Sequence, residues 1–157
     1  MIKALIIDDE KWPRKIIKNF GKWNELGIEI AAEVEDGEEA LLFIERERPG
    51  IIITDMNMPN IDGVKLLQEL NKRRIQAKII IISGHDNFEY MQQAIRSHVF
   101  EYILKPIDPH ELNNVLKRCV QELFVDKNSD KFTIYQRFNK ETLNNIAEMI
   151  KELRIYI

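Results

Sequence analysis

Five short aliphatic runs spaced along the first two thirds of the chain constrain its fold more than any other feature. They are KALII (3–7), IEIAAEV (28–34), GIIIT (50–54), KIIII (78–82) and FEYIL (100–104). Three are nearly continuous in Ile, Leu and Val, as expected of parallel strands covered on both faces. The intervening segments carry apolar residues at helical spacing: Leu41, Leu42 and Ile44, then Leu66, Leu67 and Leu70, then Met91, Ala94 and Ile95, then Leu112, Val115, Leu116 and Cys119. Three helix starts look alike, with Asp36, Asp86 and Asp108 each followed three residues later by Glu. That is a capping arrangement, so these acids are read as structural. Pro109, directly after Asp108, suits a first helical position.

A β-α alternation repeated five times predicts an α/β chain of the doubly wound, flavodoxin-like (βα)5 type. The expected parallel sheet has strand order 2-1-3-4-5 and helices on both faces. Such a sheet puts its ligand site at the carboxyl ends of the strands, near the switch point between strands 1 and 3. The residues there are Asp8, Asp9 and Glu10 after strand 1, Asp55 after strand 3, Ser83 after strand 4, and Lys105 with Pro106 after strand 5.

Taken singly, these residues have ordinary meanings: an acid at a strand end caps or loops, a Ser before Gly turns, a Lys before Pro is solvated. Their convergence by topology is the specific signal. Clustered carboxylates repel, and a hard divalent cation with oxygen ligands relieves the repulsion, so Mg2+ is the expected cofactor. The three histidines, His85, His98 and His110, are scattered, which argues against zinc. A cation, a lysine, a hydroxyl and a central carboxylate are what phosphoryl transfer needs. Asp55 would be the nucleophile, giving an aspartyl phosphate, and Asp8 and Asp9 would hold the metal.

Composition narrows the rest. The 157 residues suffice for one domain with a core and a short extension. A net charge of −3 leaves no overall footprint for nucleic acid or anionic membrane. The single cysteine, Cys119, excludes an internal disulfide and reads as a packed thiol in a reducing compartment. No run approaches the roughly 18 apolar residues of a membrane span, and the apolar start is too short for a signal peptide. A cytoplasmic location without membrane contact is expected.

The stretches LIIDDE, IIITDMNMPNIDG, IIISG and EYILKP together resemble the successive motifs of the response-regulator receiver domain of two-component signalling. The resemblance runs from about residue 1 to 125, and GKWNELGIEIAAEVEDGEEAL and SGHDNFEYMQQAI look most like receivers of AraC-type (YesN-like) transcriptional regulators. It implies Asp55 as the phosphoacceptor of a sensor histidine kinase, with Mg2+ on Asp8, Asp9, Asp55 and the backbone carbonyl of Asn57. It further implies that Ser83 and Lys105 contact the phosphoryl group, that Tyr102 is a switch aromatic, and that the peptide before Pro106 is cis. The helix after strand 4 (with Met91, Ala94 and Ile95), strand 5 and the helix after it would report the change. The protein would be a phosphoacceptor switch, with self-catalysed transfer and slow loss of phosphate, rather than an enzyme. Asn57 and His85 would flank the mouth of the site. His85 either alters water access to the phosphoryl group or is simply solvated.

Residues 126–131, DKNSDK, read as a linker between a receiver at 1–125 and a C-terminal helical extension. In that extension Leu143, Ile146, Ile150, Leu153 and Ile157 keep 3-4 spacing over about two heptads. A homodimer seam and a helix packed back on the receiver remain equal readings. The tail is too short for a paired helix-turn-helix domain, so DNA would be reached only through an output domain not present in this chain. Three other functions fit the fold less well. A haloacid dehalogenase-type phosphatase needs an Asp where Asn57 stands. In a flavodoxin, DDEKW would repel the flavin phosphate, and for a non-phosphorylated interaction module every key position is already filled.

Overall fold

The aliphatic runs form a single five-stranded parallel sheet in the order β2-β1-β3-β4-β5. The computed structural model describes residues 1–84, 87–126 and 148. Its elements are β1 (Ile2–Ile7), α1 (Lys11–Phe20), α2 (Trp23–Leu26), β2 (Ile28–Val34), α3 (Gly37–Glu47), β3 (Ile51–Thr54), α4 (Gly63–Lys72), β4 (Lys78–Ser83), α5 (Phe88–Arg96), β5 (Glu101–Leu104) and α6 (Pro109–Asp126). The chain divides into two compact units, Met1–Gln121 and Glu122–Ile157, and the first holds the whole sheet. The helix α6 extends through Asp126, where a linker was expected to begin. Residues 127–131 and the seam residues Leu143, Ile146, Ile150, Leu153 and Ile157 lie outside the described residues.

Strand alternation sends side chains to both faces, and both are covered, which is why the middles of β1, β3 and β4 are aliphatic while their polar residues, Lys3, Thr54, Lys78 and Ser83, sit towards the strand ends. Leu5, Ile7, Ile52 and Ile81 pack with Leu41 and Ile44 of α3 and with Leu66, Leu67 and Leu70 of α4. Ala4, Ile6, Ile53, Ile80 and Ile82 alternate to the other face and are equally buried. Ile17 of α1 and Leu112, Val115, Leu116 and Cys119 of α6 are buried as well, outside the cluster of the first face. Asn113 ties these two helices together, donating to the carbonyl of Phe20 at 2.9 Å and accepting from the N–H of Lys22 at 2.7 Å.

Several local details differ from the sequence reading. Leu42 was expected in the apolar stripe of its helix but is 75% exposed, because the buried face of α3 runs through Ala40, Leu41 and Ile44. The cap of α5 is Asn87, not Asp86; the Asn87 side chain accepts from the N–H groups of Glu89 and Tyr90. Asp86 itself lies outside the described residues. Asp36 caps α3 as expected, accepting from Glu39 N–H at 2.8 Å, whereas Asp108 accepts from His110 N–H at 3.1 Å rather than from Glu111. Asp62, not anticipated, caps α4 through the N–H of Lys65 at 2.9 Å. Such caps contribute about 1 kcal/mol each.

The start of α4 is pressed against the loop that follows β3. Gly63 donates to the carbonyl of Met56 at 2.8 Å. A β-carbon at Gly63 would lie 2.5 Å from Met56 Cα and 3.0 Å from the carbonyl oxygen of Asp55, and main chain cannot swing aside as a side-chain tip can. Gly63→Ala is therefore expected to destabilise the protein by about 1–3 kcal/mol, the usual cost of overpacking. Urea unfolding followed by circular dichroism checks this, and an unchanged midpoint would show that the loop yields.

Candidate functional site

The sheet order makes β1 and β3 neighbours, with Ile7 paired to Thr54, so the next residue on each strand, Asp8 and Asp55, emerges side by side. Both are nearly inaccessible, at 2% and 6% exposure, while Asp9 is exposed. The three carboxylates each offer an oxygen, and those oxygens lie within 4.8 Å of one another. From the end of β5, Lys105 reaches over, its Nζ 3.3 Å from Asp8 Oδ2 and 3.3 Å from Asp55 Oδ2. The Lys105–Pro106 peptide is cis.

Main-chain donors hold the two buried acids. Asp8 Oδ1 accepts from Glu10 N–H at 2.9 Å. Asp55 Oδ1 accepts from Met56 N–H at 2.7 Å and, more weakly, from Asn57 N–H at 3.4 Å. The Thr54 hydroxyl donates to the carbonyl of Asp55 at 2.8 Å. Each carboxylate thus has one oxygen pinned by backbone and the other turned towards Lys105.

Burial pushes the Asp8 carboxyl above the ordinary aspartate range, and neighbouring Asp55 adds to the rise; the Glu10 N–H and Lys105 oppose it. For Lys105, burial favours the neutral amine, but the charges of Asp55 and Asp8 outweigh it and raise its pKa overall. One ammonium against three carboxylates leaves two negative charges uncompensated. Like charges at about 4 Å repel by roughly 4 kcal/mol near a protein surface. The donor set is hard, anionic, oxygen-only and partly open at Asp9, which fits Mg2+ well and a soft metal poorly.

Of the residues singled out from sequence, Asp8, Asp9, Asp55 and Lys105 meet directly. Ser83 is fully buried at the end of β4, and its carbonyl accepts from Lys105 N–H at 2.9 Å. Asn57 is exposed, two residues beyond Asp55. Tyr102 is half-buried on β5 and packs against the core cluster. His85 lies outside the described residues. Sequence reasoning missed Arg14, a buried cation on α1 whose Nη1 donates to the main-chain carbonyl of Asp8 at 2.6 Å. Its position three residues before Ile17, on the same helical face, was the available signal. It also missed Tyr90, whose hydroxyl is held above its ordinary pKa by burial and by the charges of Asp62, Asp55 and Glu89.

Residues 4–117 match the family model of the response regulator receiver domain. Among curated proteins, the chain is 38% identical over 123 residues to an uncharacterized response regulatory protein of Staphylococcus epidermidis, covering 78% of this chain and 48% of that protein. It is 37% identical, with the same coverages, to the transcriptional regulatory protein HptR of Staphylococcus aureus. The chain therefore spans about half the length of the curated relatives it matches. Among solved structures, it is similar to the receiver domain of AraT, a response regulator from Geobacillus stearothermophilus, with a TM-score of 0.75 and 38% identity over 81% of this chain and 98% of that one. A two-component transcriptional regulator AraC from Clostridium phytofermentans gives a TM-score of 0.68 at 29% identity, covering 79% of this chain and 95% of that one.

The raised Asp8 carboxyl has a defined consequence for stability. A carboxyl whose folded-state pKa exceeds its unfolded one contributes fully below the unfolded value, and the contribution is lost as pH rises through the folded value. At neutral pH the Asp8 charge therefore opposes folding. In metal-free buffer at pH 7, Asp8→Asn is expected to raise the thermal unfolding midpoint. Mg2+ at about a hundredfold over its Kd should stabilise the native chain by about 2.7 kcal/mol, roughly 5–10 °C at this size, and Asp8→Asn much less. Differential scanning calorimetry with and without Mg2+ decides; equal gains in both proteins would remove Asp8 from the cation site.

Proposed function

Because the chain belongs to the response regulator receiver domain family, we propose that Asp55 accepts a phosphoryl group from a sensor histidine kinase in a Mg2+-dependent reaction. The chain is the receiver domain of a two-component response regulator, and such domains act as phosphorylation switches rather than as turnover catalysts. The observation that carries the proposal is the placement of the Lys105 ammonium 3.3 Å from both Asp8 and Asp55 at the end of the sheet.

The step is an in-line displacement. An oxygen of the Asp55 carboxylate attacks phosphorus, the P–N bond to the kinase imidazole breaks, and the imidazole leaves with the bonding pair. The carboxylate is oriented beforehand, since Oδ1 is tied to the Met56 N–H and Oδ2 faces Lys105. Asp8, Asp9, Asp55 and the carbonyl of Asn57 would hold Mg2+, which when bound neutralises charge on the transferring group. Lys105 remains an ammonium at neutral pH and balances the phosphoryl charge from the β5 side. Ser83, fully buried beside it, would donate its hydroxyl to a phosphoryl oxygen, and Tyr102 would shift with it. The product adds nearly two charges and three acceptor oxygens to the pocket.

The regulated output would be transcription, through a DNA-binding domain outside this chain. This extends to it what the name of the Staphylococcus aureus relative says of that protein. A cytoplasmic site of action accompanies that reading. A haloacid dehalogenase-type phosphatase is disfavoured by Asn57, which cannot act as its general acid.

Incubation with Mg2+ and either acetyl phosphate or the phosphorylated cognate kinase should add one phosphate to the intact mass. Asp55→Asn should abolish the gain, and Lys105→Ala should slow it by about 100-fold or more, as losing a preorganised charge stabiliser does. A phosphate that survives Asp55→Asn would overturn the proposal.

A further inference from the structure

Among the described residues Arg14 is the only arginine or lysine that is buried, at 9% exposure. A guanidinium taken out of water costs several kcal/mol unless its donors are answered, so its contacts need a reason. Nη1 donates to the Asp8 carbonyl at 2.6 Å, and Nη2 lies 3.5 Å from Glu35 Oε1. Nε lies 3.5 Å from Glu33 Oε1, an ionic contact rather than a hydrogen bond. The other Glu33 oxygen is 3.0 Å from Lys18 Nζ.

The contact with Asp8 falls where the sheet stops. Asp8 N–H still donates to the carbonyl of Val34 at 3.1 Å, but β1 has ended, and its carbonyl is answered from α1 instead. That carbonyl belongs to the peptide joining Asp8 to Asp9. Holding it sets the direction in which both carboxylates leave the chain. We infer that Arg14 is a positioning residue for the cation site: it clamps the Asp8–Asp9 peptide so that both acids present oxygens alongside Asp55. Glu33 and Glu35 at the end of β2 balance its charge, so the clamp adds little repulsion to an incoming cation. This inference rests on the Mg2+-dependent reading above.

The sign of the effect separates positioning from charge. By Coulomb's law alone, removing Arg14 deletes a nearby positive charge, frees two acids, and should tighten Mg2+ binding. The positioning role requires the opposite. Isothermal titration of the unphosphorylated full chain with Mg2+ should show Arg14→Met weakened by about tenfold or more, as for other lost partners of metal ligands. Arg14→Lys keeps the charge but offers a single ammonium where a fork spanned a carbonyl and two acids, so it should also bind more weakly, by a smaller factor. Lys18→Met, which removes the other cation on Glu33, should leave affinity unchanged or slightly tighter. A purely structural role would lower the urea midpoint of Arg14→Met or Arg14→Lys without changing Mg2+ affinity. Native or tighter affinity in either folded Arg14 variant overturns the inference while the receiver reading stands. Absence of Mg2+ binding in the native chain overturns both.

Discussion

The Lys105 ammonium, 3.3 Å from a carboxylate oxygen of Asp8 and 3.3 Å from one of Asp55, joins the ends of three strands where their main chains stop pairing. Without it, two buried carboxylates on adjacent strands would face each other with only backbone N–H groups to offset their charge. Neighbouring strands lie about 4.8 Å apart, so β5, two places from β3, ends about 10 Å away. Only a long side chain crosses that gap. A lysine there answers the charge on Asp8 and Asp55 while leaving the exposed side of the cluster, at Asp9, open to an incoming cation.

The scaffold's part is to make the positions of those charges independent of the charges themselves. Asp8 and Asp55 each follow a strand whose residues are buried to within 1% exposure over their last three positions. Their N–H groups are bound to Val34 and Ile7 respectively, so the strand geometry persists one residue past the assigned ends. Gly63 brings the start of α4 against Met56, which prevents the loop after Asp55 from relaxing away from its own charge. A like-charge cluster would otherwise spread, and the strain is carried by packed aliphatic residues that have no alternative arrangement.

Much of this was legible before any coordinates. The aliphatic runs located all five strands to within a residue or two, because the central strands are covered on both faces and their middles are continuously aliphatic. Topology rules then brought Asp8, Asp55 and Lys105 to one edge. The residues that escaped are those whose role depends on a partner distant in sequence. The helix α1 has only Ile16, Ile17 and Phe20 as large aliphatic or aromatic residues beyond Trp12, and Pro13 within it looks like a breaker. Pro13 is tolerated in the first turn, where an N–H has no helical acceptor anyway. Arg14 reads as one more surface charge until Asp8, Glu33 and Glu35 are seen around it. The cap of α5 was misplaced by one residue because Asp86 and Asn87 are adjacent and either side chain can accept from free N–H groups.

The same geometry limits how a charge placed on Asp55 could be felt elsewhere. On the β1 side the groups are locked: Asp8 is held at its N–H, its carbonyl and both side-chain oxygens. On the β4–β5 side there is latitude. Gly84 is exposed and a β-carbon there would meet nothing nearer than Lys105 Cδ at 3.9 Å, and Tyr90 and Tyr102 are only half-buried. A ligand shifts an equilibrium only through contacts that differ between two states. Groups already satisfied on every side cannot supply that difference. The residues open to solvent on this side are Gly84, Tyr90 of α5 and Tyr102 of β5, so a response to new charge at Asp55 would leave the site along that edge more readily than through β1 or α1.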